Sequence, residues 1–323
     1  MDRRELFKNL AILGLGSVIP FGKMLANISY AKRPFHQFKL GNLDMTVVTD
    51  GHIIMSPVQP VFPNGDEQAE KELLRKSFRS TEEVDLGMNM LIIKKDKEVI
   101  LIDTGTGGAF GPASGWLLSS LKDADIDPAG ITRIVISHAH PDHIGGLLTK
   151  DDKPVFANAQ VYLSKAEHAF WMAAEQDFSR SKFSDKKLLA VFTAATQKTI
   201  RTLDKRLHLF NDGDELFGCL RMQLAPGHTP GHTLVHVFSG AEEMVHIADL
   251  MHSDVLLFPH PEWGFNGDTD FDMAAATRKR VLAELAGGQK KVFAYHLPWP
   301  GIGHVRSKEG AYEWVAETYA FPV

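Results

Sequence analysis

Apolar runs of four to seven residues recur along this chain, bounded by glycine, proline or charged residues, and they read as short buried strands. They fall at 45–49, 89–94, 99–103, 131–137, 160–163, 219–224, 232–238, 243–248 and 291–295. Lys95-Asp96-Lys97 joins the second and third as a tight hairpin. Apolar positions at helical spacing predict helices over 116–124, 164–177 and 271–286. The middle helix opens after Ser164, an N-cap residue, with Glu167 as its capping-box partner. Strands in two series, with helices between and outside them, suggest two sheets packed face to face and covered by helices.

Chemistry-bearing residues gather where these strands end. The run Ile131 to Ile136 leads into Ser137-His138-Ala139-His140-Pro141-Asp142-His143, with three imidazoles and a carboxylate in six consecutive positions. Imidazole nitrogen and carboxylate oxygen are the ligands that zinc and similar divalent metals prefer. In extended chain His138 and His140 point the same way and can converge on one ion. Asp142 and His143 then approach from the next turn and can serve a second. Two ions need further ligands, and three more strand-like runs end in candidates: His228, Asp249 and His296.

The pattern His-X-His-X-Asp-His, a later Gly-His, a lone Asp and a final His resembles the metallo-β-lactamase superfamily of dinuclear metallohydrolases. That resemblance covers essentially the whole chain after the first forty or so residues. It implies an α+β fold, a four-layer αββα sandwich. It also implies that His138, His140 and His228 hold one metal, that Asp142, His143 and His296 hold another, and that Asp249 bridges them. Two Zn²⁺ are the expected cofactors, other divalent metals being open. Asp103, in Leu101-Ile102-Asp103-Thr104-Gly105, matches the family's structural aspartate, which braces the metal loop. Asp103-Thr104-Gly105 through Phe110-Gly111-Pro112, with the tail His296-Leu297-Pro298-Trp299-Pro300-Gly301-Ile302-Gly303-His304, is similar to the methyl parathion hydrolase branch, close to the N-acyl-homoserine lactonases. Phe110 and Trp171 match aromatic pocket positions of that branch. His232 and His304 exceed the ligand count and are expected to orient ligands or backbone. His252 lies near enough to Asp249 to reach the pocket.

The implied function is hydrolysis of a small ester, lactone or organophosphate triester by a metal-bridging hydroxide, with Asp249 bridging and Asp142 taking or relaying the leaving group's proton. No Gly-X-Ser-X-Gly elbow supports a serine nucleophile. A β-lactamase is a further reading, although those families carry Cys or Ser where this chain has Asp249. A mononuclear iron oxygenase of the persulfide dioxygenase type shares the scaffold and much of the first motif; the complete second-metal set argues against it. A metal-binding module without catalysis predicts ligands without a pocket. Two segments are expected near the site: 177–205, rich in Lys, Ser and Thr, as a mobile flap or helical insertion, and 49–80, with Pro57, Pro60, Pro63 and Gly65, as an active-site loop.

Length and composition narrow the setting. At 323 residues and 44% hydrophobic, with no linker or short repeat, residues 32–323 are expected to form a single domain. Residues 1–31 show a basic start with paired Arg3-Arg4, an apolar stretch from Leu10 to Phe21 and small residues near Ala26 and Ala31. This resembles a twin-arginine export signal, so a periplasmic or secreted protein is expected, with no stable membrane association once the signal is removed. The signal carries four basic and two acidic groups, so its loss takes the formal charge from −5 to about −7. That acidity argues against a nucleic-acid partner. The expected partner is a small-molecule substrate, with a homodimer left open. The single Cys219 allows no internal disulfide and reads as core.

Overall fold

The computed structural model of the chain describes residues 33–318, so the expected export signal at 1–31 lies outside the described residues. One sheet takes its strands from the first part of the chain: His36–Leu40 (β1), Leu43–Met55 (β2), Val84–Lys95 (β3), Glu98–Ile102 (β4), Arg133–Ile136 (β5), Gln160–Ser164 (β6) and Leu207–Phe210 (β7). The other takes Glu215–Leu216 (β8), Leu220–Leu224 (β9), Thr233–Ser239 (β10), Glu242–His246 (β11), Lys291–Phe293 (β12), Ile302–Lys308 (β13) and Ala311–Ala316 (β14). In both sheets each strand pairs with its neighbours in sequence. Pairing is antiparallel from β1 to β4 and parallel from β4 to β7. In the second sheet β11 and β12 are the parallel pair. The helices are Val58–Val61 (α1), Glu67–Lys76 (α2), Leu117–Asp123 (α3), Pro141–Ile144 (α4), Lys165–Met172 (α5), Lys186–Leu203 (α6) and Phe271–Gly287 (α7).

Period-two alternation sorts the strand side chains into layers. Leu91, Ile93, Ile100 and Ile102 meet Met222, Val235, Val237 and Phe293 between the sheets, where Cys219 is also buried. Met90, Ile92, Ile134 and Ile136 face the other way, toward Leu117 and Leu121 of α3 and Ile200 and Leu203 of α6. Leu234, Val245 and Val292 turn outward from the second sheet onto Val281, Leu282 and Leu285 of α7. Helix, sheet, sheet, helix is the order expected for an αββα sandwich.

The segment 49–80 is more regular than expected. Instead of becoming a loop at Asp50-Gly51-His52, β2 runs on to Met55 through a bulge, its register shifting between Thr49 and Gly51. Gly51 makes this work: its φ is +98°, and a Cβ there would sit 2.0 Å from the Ala113 carbonyl oxygen. Helices α1 and α2 follow, and Asp66 caps α2 by accepting from Ala69 N–H. The segment 177–205 does hold a helical insertion, α6, whereas α5 stops at Met172, five residues short of its expected end. Unforeseen strands β1, β7, β13 and β14 lie at sheet edges or next to them, where half-exposed residues weaken the alternation.

Candidate metal centre

Strand direction brings the ligand-type residues together. β9 and β11 both run antiparallel to β10, and β12 runs parallel to β11, so all three deliver their carboxyl ends to one edge. His228, Asp249 and His296 leave from those ends. β5 brings the fourth loop from the other sheet, and Thr233 N–H, donating to Ser137 O at 3.0 Å, ties the two sheets at this edge.

Two groups of ligand atoms result, each with all atoms within 4.8 Å of one another: His138, His140, His228 and Asp249 in one, Asp142, His143, Asp249 and His296 in the other. Asp249 belongs to both. His140 Nδ1 lies 3.1 Å from His138 Nε2 and 2.9 Å from His228 Nε2. In the second group His296 Nε2 is 3.3 Å from Asp142 Oδ2 and 3.2 Å from Asp249 Oδ2. His143 Nε2 and Asp249 Oδ1 face each other at 3.0 Å, both buried and both without a partner of hydrogen-bond geometry. Buried polar atoms are seldom left so. Convergent imidazole nitrogens around a shared carboxylate, with orphaned atoms pointing inward, fit a pair of divalent cations.

In His143, His228 and His296 the outer nitrogen is tied, which leaves the inward one as the ligand atom. His143 Nδ1 is 2.9 Å from Asp103 Oδ2, and the same carboxylate accepts from Ser137 N and Oγ. His228 Nδ1 is 2.8 Å from Asp268 Oδ1, whose other oxygen meets Arg278. His296 Nδ1 donates to Gly87 O at 2.8 Å. A partner on the outer nitrogen sets tautomer and ring angle and raises ligand basicity. His232 is spent differently: Nδ1 donates to Ala225 O, and Nε2 accepts from Asp249 N–H at 3.1 Å. It therefore holds the backbone of the shared carboxylate.

Electrostatics point the same way. Burial pulls His138 well below its ordinary value and His140 down to about 3, so both stay neutral. Burial would also lower His228 and His296, but the carboxylates of Asp249 and Asp268 beside the first, and of Asp249 and Asp142 beside the second, lift each to about 9. Burial would raise Asp249 and Asp142, yet the surrounding imidazoles hold both carboxyls well below the usual range. The two carboxylates thus favour positive charge on the imidazoles that face them, a place that a bound cation would take.

The loops carrying these groups are strained and braced. Asp103 and Ala248, neither a glycine, have φ of 61° and 43° beside the cluster. Gly227 precedes His228 at φ +133°, and a Cβ there would lie 2.3 Å from Ala274 N at the start of α7. Several braces were not foreseen. The Glu167 carboxylate does not complete a capping box, although Ser164 Oγ accepts from Glu167 N–H as an N-cap should. Glu167 instead accepts from Ala139 N and Trp171 Nε1 with one oxygen and from Thr229 Oγ1 and Gly231 N with the other, joining the two metal loops. Buried Asp50 accepts from Thr106, Gly115 and Leu117 and shapes the loop that bears Phe110. Asp268 and Asn89 act at long sequence range, Asn89 Nδ2 donating to Leu297 O at 2.8 Å beside His296.

An apolar cavity of about 260 Å³ opens over the cluster, with His140, Asp142, Asp249 and His296 at its base. Phe110 lines it, as do Phe178, Phe183 and Phe192 of the insertion. Trp171 does not: it is buried at 1% exposure in the core under α6, its ring edge-on to His140 at 5.8 Å. The expected substrate wall is thus a prop behind a ligand. His304 is also displaced from its expected place. It sits on β13 opposite Lys291, at the end of β12 away from His296, and among the described residues no hydrogen bond joins it to the cluster. His252 reaches Asp249 Oδ2 at 3.2 Å and stacks on Phe265 at 3.8 Å.

Comparison with known proteins agrees with this geometry. The family model described as Metallo-beta-lactamase superfamily matches residues 85–296. Among solved structures, AidC, a dizinc quorum-quenching lactonase in complex with the product N-hexanoyl-L-homoserine, is 40% identical with a TM-score of 0.87, over 90% of this chain and 99% of its own. The hydrolase AbOPH, in the beta lactamase superfamily, is 31% identical with a TM-score of 0.81, over 89% and 99%. A probable metal-dependent hydrolase from Staphylococcus aureus, 19% identical with a TM-score of 0.70 over 88% and 100%, shares the fold. No curated protein matches the chain in sequence.

Proposed function

Because the chain belongs to the metallo-beta-lactamase superfamily and is a hydrolase of that kind, we propose that it opens the lactone ring of N-acyl homoserine lactones at a dinuclear zinc centre. The observation that carries this reading is the apolar cavity of about 260 Å³ standing on Asp142, Asp249 and His296. A hydrocarbon tail fits such a wall while the polar ring rests on the ligand cluster. The lactonase AidC, 40% identical across 90% of this chain, supports the substrate class.

His138, His140 and His228 would hold one zinc and Asp142, His143 and His296 the other, with Asp249 shared. When bound, such a pair lowers the pKa of water from about 15.7 to about 7 and polarises the oxygen under attack. The protein's own groups do the remainder. Apolar side chains around the cavity keep bulk water from the ring and bind the tail. The carboxylate of Asp142, at the cavity base, is placed to take the proton released on attack and return it to the departing ring oxygen. Asp103, Asp268 and Gly87 O keep the inward imidazole nitrogens aimed so that nothing need reorganise during reaction.

A second substrate, an aryl phosphotriester, is favoured by one observation: five phenylalanines, Phe110, Phe178, Phe183, Phe192 and Phe265, line the same cavity and could stack an aryl leaving group. A panel of acyl lactones, aryl esters, phosphotriesters and a chromogenic cephalosporin separates these readings. The lactonase reading expects the highest kcat/KM on an acyl lactone and about two zinc per chain. Iron at one per chain, or turnover of the cephalosporin alone, would overturn it. The amino-terminal pattern supports export to the periplasm, which fractionation of cells expressing the full chain tests.

A further inference from the structure

Beyond the metal cluster, the cavity wall is almost entirely hydrocarbon. Its side chains are those of Ile, Met, Leu, Phe and Pro, with two exceptions: Ser181 on the insertion and Asn266 on the loop before α7. Each has one unused hydrogen-bonding capacity, and the two are of opposite kind.

Ser181 Oγ accepts from Phe183 N–H at 3.2 Å, and Ser181 N–H donates to Phe178 O. Its own O–H proton finds no acceptor among the described residues. The neighbouring residue fixes this turn in space: Arg180 Nε lies 2.9 Å from Asp270 Oδ2, and Arg180 O accepts from Phe271 N–H at the start of α7. Asn266 is fixed more tightly. Its backbone N–H donates to Val61 O at 2.8 Å, and its Nδ2 donates to Pro60 O at 3.0 Å. That second bond sets the amide's orientation, since a flipped side chain would face carbonyl against carbonyl. Oδ1 is therefore the atom left over, buried and without a partner. A free donor and a free acceptor in a largely hydrocarbon wall are an unusual pair, and the buried Asn266 oxygen leaves its capacity unmet until something binds.

A secondary amide has one carbonyl acceptor and one N–H donor. We propose that Ser181 and Asn266 recognise the amide of an N-acylated lactone, Ser181 O–H donating to the amide carbonyl and Asn266 Oδ1 accepting its N–H. The inference rests on the lactonase reading and adds to it a selectivity for amide-bearing lactones over lactones and esters of equal length that lack the amide. Phosphotriesters and aryl esters offer no N–H to Asn266. Tail length alone would be read by the apolar wall; the presence of the amide would be read by these two residues.

The test compares kcat/KM on an N-acyl homoserine lactone with kcat/KM on a γ-alkyl butyrolactone of matched length, and reads their ratio. Ser181→Ala and Asn266→Ala should each lower the ratio about tenfold, which is about 1.4 kcal/mol of discrimination. Ser181→Thr, which keeps the hydroxyl, should restore most of it. Ser181 is half-buried, so its alanine variant carries the test if Asn266→Ala misfolds. If wild-type protein hydrolyses both lactones and Ser181→Ala leaves the ratio where it was, amide recognition is overturned while the lactonase reading stands. If the zinc-loaded wild type turns over neither lactone yet cleaves another ester, the lactonase reading itself fails.

Discussion

The metal cluster and the roof of the cavity above it are held in contrasting ways. Around the cluster, buried carboxylates of Asp103, Glu167 and Asp268 bind imidazoles and backbone amides from loops far apart in sequence. Over the cavity, the segment before α6 is joined to the body by aromatic contacts of Phe178 and by Arg180, whose side chain is 59% exposed as it pairs with Asp270 and Asp272. Exposed ion pairs contribute little, about 0–1 kcal/mol each. Buried carboxylates with every oxygen satisfied are far costlier to disturb. The cluster is thus held by buried bonds, and the cavity wall above it by aromatic contacts and exposed ion pairs. Roof substitutions should alter which substrate binds, and brace substitutions should alter whether metal is held at all.

The largest effects should come from the ligands. His138→Ala or Asp249→Ala should reduce every hydrolytic activity to background and lower the metal content measured on purified protein. Turnover surviving either change would break the assignment of the cluster.

Next come the braces. Asp268→Asn and Asp103→Asn leave all seven ligand-type groups in place but weaken the hold on His228 and His143. Each should cost about 10–100-fold in metal affinity or activity, read by competition with a chelator. Loss of activity with unchanged affinity would place these residues in the reaction itself.

A smaller effect is expected from the roof. Arg180→Ala should raise KM for a long-chain acyl lactone about threefold, with kcat and metal content little changed. A fall in kcat instead would mean that the roof and the cluster move together, and the contrast between them would disappear.

The smallest effect concerns α2, which lies beside the segment that holds Asn266. Burial, helped by the neighbouring Glu67 and Asp66, raises Glu70 from its ordinary 4.5 to about 7. Below pH 4.5 the group is neutral whether the chain is folded or unfolded. Between 4.5 and 7 the unfolded chain ionises first, so stability falls as pH rises, and the loss is complete above about 7. Glu70→Gln should therefore raise the melting temperature at pH 8 and leave it nearly unchanged at pH 4. An equal shift at both pH values would show that charge on Glu70 is not the cause.

The ligand cluster left a strong mark in the sequence because four of its residues sit within six positions and the others follow strand-like runs. Its braces left almost none. Asp268 acts on a histidine 40 residues away, and Glu167 occupies a position that local helix rules assign to a cap. Aromatic residues were ambiguous for a related reason: an apolar side chain suits a core as well as a cavity. Phe110, on a loop shaped by Asp50, faces the cavity, and Trp171, on a helix, faces the core. His304 belongs to a tail motif that reads as one unit, but β13 runs antiparallel to β12 and carries it away from His296. The long β2 was hidden by the polar bulge at Asp50-Gly51, where a strand continues through residues that usually end one.

The central claim is that Asp249 is shared by two cations, each completed by three further side chains. Anomalous diffraction at the zinc edge, from crystals of the zinc-loaded full chain, tests it most directly. Two peaks should flank the Asp249 carboxylate, one against His138, His140 and His228 and the other against Asp142, His143 and His296. A single peak at full zinc loading, or zinc bound away from Asp249, would contradict the account.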